Sequence, residues 1–313
     1  MSLAQPTFAQ QLARLDWDDH ALQLRATTGA QVEQALARSR RTLADFAALI
    51  SPAAEAYLPQ LAAQAQRLTR QRFGHSIQFY VPLYLSNLCA NDCSYCGFSM
   101  SNAIRRVTLD ETALQAECLA LRQRGFDAVL LVSGEHQRRV GMDYFRQQLP
   151  LVRRHFSHVA MEVQPLAAAE YRELKTLGLD SVLVYQESYH RRTYARHHLR
   201  GSKQDFDYRL ATPERLGQAG IDKIGLGVLL GLADDWRCDS LMAAYHLQFL
   251  QQHYWRCQFS LALPRLRPCS GGIAPAVDIS DRQLVQLYAA FRIFAPEVDL
   301  TLSTREPAAL RGW

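Results

Sequence analysis

The 313 residues carry 48% hydrophobic and 21% charged side chains and a formal net charge of +5, an ordinary composition for a globular chain with a sizeable core. No apolar run approaches the roughly 18 residues that a membrane-spanning helix needs. The amino terminus, MSLAQPTFAQQLARLDWDDH, has no basic segment leading into an apolar one, so neither membrane insertion nor export is expected. Basic pairs such as Arg153–Arg154 and Arg191–Arg192 lack interleaved aromatic residues, which argues for a solvated face and against nucleic-acid binding.

Residues 1–74 read as helices, rich in Ala, Leu, Gln and Arg at helical spacing. Ser51-Pro52 marks a break, with Ser51 as an N-cap and Pro52 at the first helical position. After Gly74 the texture changes. Apolar runs of strand length fall at 76–86, 127–133, 158–163, 181–186, 223–230, 257–264 and 298–303, with helical stretches such as DETALQAECLALRQRG and SLMAAYHLQFLQQHY between them. Near-continuous apolar strands alternating with helices predict a parallel sheet, and seven of them approach a (β/α) barrel of TIM type. The expected organisation is a helical N-terminal extension over 1–74 and an α/β barrel over 75–313. No eighth strand follows the seventh, so the barrel is expected to be open there, with water reaching its interior and poor catalysis by this chain alone.

The loop that leaves the first strand is the densest chemistry in the chain. LYLSNLCANDCSYCGF spaces Cys89, Cys93 and Cys96 as Cys-x-x-x-Cys-x-x-Cys. Three thiolates on one loop suit three irons of a 4Fe–4S cluster and leave the fourth iron open for chemistry. A structural zinc site would want a fourth ligand from a second Cys or His pair, and none follows. Cys118, Cys238, Cys257 and Cys269 are scattered singly, and the odd total of 7 speaks against a disulfide framework. In a (β/α) barrel the reactive groups gather at the C-terminal ends of the strands, where this loop lies.

Tyr95, just before the third cysteine, completes the pattern Cys-x-x-x-Cys-x-aromatic-Cys, and the loop resembles that of radical S-adenosylmethionine (SAM) enzymes. The match goes further. CGFSMSN, GEHQ, MEVQPL, VYQESYH, YARHH, GLGVLLGL, PRLRPC and LSTRE together resemble the tyrosine lyases of thiazole biosynthesis, the ThiH or 2-iminoacetate synthase family, from about Leu15 to Glu306. The resemblance implies that Cys89, Cys93 and Cys96 hold the cluster, that SAM binds its open iron, and that Tyr95 flanks the adenine. It implies further that Gly134 and Glu135, in a Ser133-Gly134-Glu135 version of the family's Gly-Gly-Glu, hold the methionine amino group. Glu187 would contact the ribose, Arg209 would pair with the SAM carboxylate, and the glycine-rich strand with Gly225, Gly227 and Gly231 would pack the adenine. An arginine suits a carboxylate because its planar fork binds both oxygens.

For the substrate, Arg265 and Arg267 stand at i and i+2 on extended chain, point the same way, and are expected to clamp a tyrosine carboxylate. Ser303, Thr304 and Arg305 are expected to add polar contacts, and His136, His197 and His198 to handle protons or a phenol. The expected reaction is cleavage of the Cα–Cβ bond of L-tyrosine to 2-iminoacetate and 4-cresol, in a reducing cytoplasm. An external one-electron reductant, NADPH-derived through a flavodoxin-like donor, would serve the cluster, and thiazole synthase is the expected protein partner. The competing readings are a hydrogenase-maturation tyrosine lyase and a non-catalytic metal- or cluster-binding scaffold.

Overall fold

The computed structural model describes residues 6–303 and 305–307. Five short α-helices open the chain at Phe8–Leu12, Trp17–Ala26, Gly29–Ala37, Leu43–Ile50 and Leu58–Phe73. Their starts follow from local chemistry. Thr7, Asp16, Thr28 and Thr42 each accept a backbone N–H three residues on, and the three threonines close full capping boxes. At the expected break, Pro52–Tyr57 forms a 3₁₀ helix. Ser51 does not cap it: its hydroxyl donates backward to the Ala48 carbonyl at 2.7 Å.

Nine strands follow in chain order: β1 Val81–Ser86, β2 Asp92–Cys93, β3 Ala128–Ser133, β4 His158–Glu162, β5 Ser181–Leu183, β6 His198–Arg200, β7 Lys223–Gly227, β8 Gln258–Ala262 and β9 Asp299–Thr301. Seven of them form one sheet in the order β1-β3-β4-β5-β7-β8-β9, every pairing parallel. These are the seven expected strands, and the fold is the expected α/β class: a curled parallel sheet, an open barrel with helices outside. Among the described residues β1 and β9 are its edges. The second sheet, β2 with antiparallel β6, was not foreseen.

The two faces of the main sheet are set by alternation along each strand. Leu83 and Leu85, Val129 and Leu131, Val159 and Met161, Ile224 and Leu226, and Phe259 and Leu261 face outward into the core shared with the helices. Leu130, Ala160 and Leu183 form a separate inner layer with Tyr80, Val132 and Tyr185. The opening helices join the outer core. Phe46 lies 4.5 Å from Phe291 by ring centroids, and the Gln286 amide donates at 2.9 Å to the carbonyls of Leu49 and Ser51. The helical segment thus braces the outside of the sheet and leaves the C-terminal strand ends to the loops that build the site.

Candidate active site

The cysteine loop, 87–104, is held by its own backbone. Arg106 donates to the carbonyls of Asn87 and Phe98 at 2.7 and 2.8 Å through one nitrogen, and to those of Ser99 and Asn102 at 2.6 and 3.0 Å through the other. Asn102 donates at 3.1 Å to the carbonyls of Cys96, Gly97 and Ser270. The Cys89 sulfur accepts the Asn91 N–H and the Cys96 sulfur the Phe98 N–H, each at 3.4 Å. Gly134 is required by close approach: a Cβ there would stand 2.4 Å from the Leu88 carbonyl oxygen and 3.1 Å from the Cys89 Cβ. Glycine lets the end of β3 support the loop, and the Ala90 N–H then donates to the Glu135 carbonyl at 2.8 Å.

All seven cysteines are free thiols. Among the described residues no three His, Cys, Asp or Glu side chains converge on one metal ion, which is what zinc would need. An iron–sulfur cubane asks for no such convergence, since each thiolate binds its own iron. Burial pushes the Cys93 thiol up to about 12, and raises Cys96, with Lys203 pulling both down. Such thiols ionise on coordination. The donor set, its spacing and the N–H bonds to sulfur fit a cluster. Cys269, read as an isolated cysteine, lies against the loop, its thiol 3.2 Å from the Tyr95 carbonyl.

The expected SAM residues come together beside it. Arg209 donates to Glu135 at 2.9 Å and to the Tyr185 carbonyl at 2.7 Å, with its other terminal nitrogen 3.8 Å from Glu187. Lys203, which no motif singled out, donates to Glu187 at 2.7 Å. Asn91 links the two, donating to Glu135 at 2.8 Å and accepting the Lys203 N–H at 3.0 Å. Burial alone would raise both carboxyls, but Arg209 and Lys203 hold Glu135 and Glu187 below the usual carboxylate range. Glu187 has φ +69°, rare for a side-chain-bearing residue and a form of strain found at functional sites. Arg209 is therefore no surface arginine, and its fork is engaged within the chain.

Tyr95 is buried, its hydroxyl 2.8 Å from His198 Nε2, while His198 Nδ1 is 2.7 Å from the Tyr194 carbonyl. The carbonyl fixes the proton on Nδ1, so Nε2 accepts from Tyr95, and burial lowers His198 to about 2. His197 binds Ser94 Oγ at 2.7 Å. Both histidines thus support the cysteine loop, His198 from the first residue of β6 and His197 from the position just before it. His136 Nδ1 is buried without a partner among the described residues.

The two arginines of PRLRP do point the same way, and both donate to one carboxylate, but it is the chain's own. Arg265 Nε reaches Glu306 at 3.0 and 3.2 Å and Arg267 reaches it at 2.6 Å. Arg265 also binds Asp281 at 2.8 Å and the Ile279 carbonyl at 2.7 Å, which uses its whole fork. The expected two-arginine clamp is corrected to this extent: Arg265 holds Glu306, and Arg267 keeps a buried Nε without a partner among the described residues. Ser303 accepts the Arg305 N–H at 3.2 Å, and Arg305 donates to the carbonyls of Arg267 and Pro268 at 3.4 and 3.3 Å, so both brace this loop. Thr304 lies outside the described residues. Gly227 and Gly225 line the inner face of β7, where a Cβ would strike Tyr185 at 2.6 Å and Leu183 at 2.5 Å.

Three loop thiols beside a buried, zwitterion-like set of charges, at the C-terminal mouth of a curled parallel sheet, define the radical SAM class. Residues 83–242 match the Radical SAM superfamily model, and residues 262–312 match the Biotin and Thiamin Synthesis associated domain. The chain is 63% identical over 300 residues to the 2-iminoacetate synthase of Escherichia coli (strain K12) and 59% identical to that of Salmonella typhimurium, in both cases covering 96% of this chain and 80% of the relative. The crystal structure of HydG, a maturase of the FeFe-hydrogenase, superposes with a TM-score of 0.84 at 28% identity, over 97% of this chain and 66% of that one. The chain belongs to the 2-iminoacetate synthase family of radical SAM lyases.

Proposed function

We propose that this chain cleaves the Cα–Cβ bond of L-tyrosine to 2-iminoacetate and 4-cresol, with SAM consumed to methionine and 5′-deoxyadenosine, for the thiazole of thiamine. The observation that carries this is the 63% identity across 96% of the chain, joined to a site whose residues suit the chemistry. When bound, the cluster and SAM supply a 5′-deoxyadenosyl radical. Cys89, Cys93 and Cys96 hold the cluster. Glu135 takes the methionine ammonium and Arg209 its carboxylate, and Glu187 faces the ribose, with Lys203 neutralising it. Tyr95, Gly134 and Gly227 shape the adenine and loop contacts. Arg267, with an unused buried Nε, anchors the tyrosine carboxylate. Arg265 is a positioning residue acting through Glu306, and Ser303 and Arg305 keep that loop in place.

A buried site with fixed charges orients the amine and limits water, which is the protein's share of such catalysis. The reading calls for an external one-electron reductant of flavodoxin type and for a cytoplasmic, reducing setting that keeps the thiols free. Among the described residues no helix is long and apolar enough to cross a membrane. Iminoacetate hydrolyses readily, so direct transfer to thiazole synthase completes the proposal. Anaerobic incubation of the reconstituted protein with SAM, dithionite and tyrosine tests it. 4-Cresol and 5′-deoxyadenosine should form together, and 5′-deoxyadenosine that never depends on tyrosine would refute the substrate.

A further inference from the structure

The inner face of the sheet holds a ring of residues that, Gly227 apart, the SAM site does not use. Val132, Glu162 and Tyr185 lie two positions beyond the inward layer of Leu130, Ala160 and Leu183, and alternation turns them the same way. Register sets Tyr84 beside Val132, Val132 beside Glu162, and Gly227 beside Ala262. Gly227 is glycine because the Tyr185 ring occupies the space of its Cβ. The ring so formed has aromatic walls, small residues at Gly227 and Ala262, and a single acidic group. The Glu162 carboxylate has no hydrogen-bond partner among the described residues and meets its charged neighbours only through space. An aromatic chamber with one free acid at the strand ends suits an aromatic amino acid with its amine turned to that acid.

We infer that Glu162 is the base that takes a proton from the ammonium group of the substrate. The inference rests on the tyrosine-lyase reading and deepens it. In the step, an N–H bond of the ammonium breaks with its electron pair left on nitrogen, and an O–H bond forms at Glu162, giving a neutral amine and a neutral carboxylic acid. A hydrogen atom removed from that amine leaves a neutral aminyl radical; removed from the ammonium, it would leave an aminium cation. The groups facing Glu162 are Glu187 beyond β5, Lys203 and Arg209 beyond β6, Tyr185, and Tyr80 before β1. Burial first, and then Glu187, push the carboxyl up to about 7. A carboxyl raised this far is a much better match to an α-ammonium group than an ordinary carboxyl at about 4, so the transfer is less uphill, as proton transfer in catalysis prefers.

The test uses the reconstituted holoenzyme with SAM and compares the wild type with Glu162→Gln and Glu162→Asp across pH. Iron content and thermal midpoint first establish that each variant is folded and loaded. In the wild type, tyrosine-dependent 4-cresol formation should rise with pH through about 7. Glu162→Gln should lose that limb and at least about 100-fold in rate, while Glu162→Asp should retain the limb. Bound ¹⁵N-tyrosine should give a neutral-amine resonance in the wild type and an ammonium resonance in Glu162→Gln. A Glu162→Gln enzyme with the wild-type pH limb and rate, or with an unchanged ¹⁵N resonance, would overturn the inference while leaving the lyase reading intact. A loaded wild type that makes no product from tyrosine overturns the lyase reading and this inference with it.

Discussion

Arg106 offers the sharpest test of how the cysteine loop is built. Its two terminal nitrogens collect the carbonyls of Asn87, Phe98, Ser99 and Asn102 at 2.6–3.0 Å, so one side chain ties both flanks of the Cys89–Cys96 segment. A partly exposed hydrogen bond contributes about 1 kcal/mol net, because water replaces it when it breaks. Four such bonds amount to about 4 kcal/mol of the local order that Arg106→Ala removes, or roughly three decades in the equilibrium for loop opening. The outer core of the barrel does not include Arg106, so global unfolding should shift little while the loop loosens. Anaerobically reconstituted wild type and variant would be challenged with an iron chelator, and cluster loss followed by visible absorbance. Arg106→Ala should lose its cluster at least about tenfold faster, and Arg106→Lys, which lacks the planar fork, should fall between. Equal rates for Arg106→Ala and wild type, with equal initial iron, would refute the argument that these four bonds hold the loop.

Replacing Cys89, Cys93 and Cys96 together by Ala should abolish iron and sulfide incorporation. Cys269→Ala should keep it, and iron and sulfide assays decide between them. Gly134→Ala should weaken cluster retention and cost about 1–3 kcal/mol in denaturant unfolding, because its Cβ meets a backbone oxygen that cannot swing aside. Glu135→Gln leaves Arg209 buried without its full partner and should cost about 3–5 kcal/mol, together with weaker SAM binding by calorimetry. Glu135 and Glu187 have carboxyls held below their ordinary range. Their contribution to stability is therefore present above that range and lost as pH falls through the lowered folded values, so the thermal midpoint should drop below about pH 4 and do so less in Glu135→Gln. Glu162 has the opposite sign: its raised pKa costs stability progressively as pH rises from 4.5 to about 7, so Glu162→Gln should raise the midpoint most at pH 8, less at pH 6 and not below about pH 4.

Much of this protein is written in local patterns. The seven inner strands are apolar runs whose alternation sorts outward from inward side chains, and all seven expected strands are present. The spacing of Cys89, Cys93 and Cys96 is carried on one loop and needs no distant partner to be read. Gly134, Glu135, Glu187 and Arg209 were legible only through their motifs, since a lone Glu or Arg beside a strand carries no signal of its own. Lys203, Asn91, Arg106 and Asn102 lie outside the quoted motifs or have no distinctive spacing, and they became visible only as partners.

The sequence alone determined the class of fold and the cysteine loop, because strand alternation and close cysteine spacing are short-range properties of the chain. Only the tertiary structure decided which charges neutralise which. Glu135 and Arg209 are 74 residues apart and form one ion pair. Arg265 and Arg267 meet Glu306 across 41 and 39 positions, a shared carboxylate of the chain that their spacing alone could not show. His197 and His198 meet Ser94 and Tyr95 of the cysteine loop, each 103 residues away along the chain. Glu162 stood apart as the one unpaired acid of the inner ring only once sheet register had set its neighbours. Electrostatic partnership depends on distance in space, and a sequence records only distance along the chain.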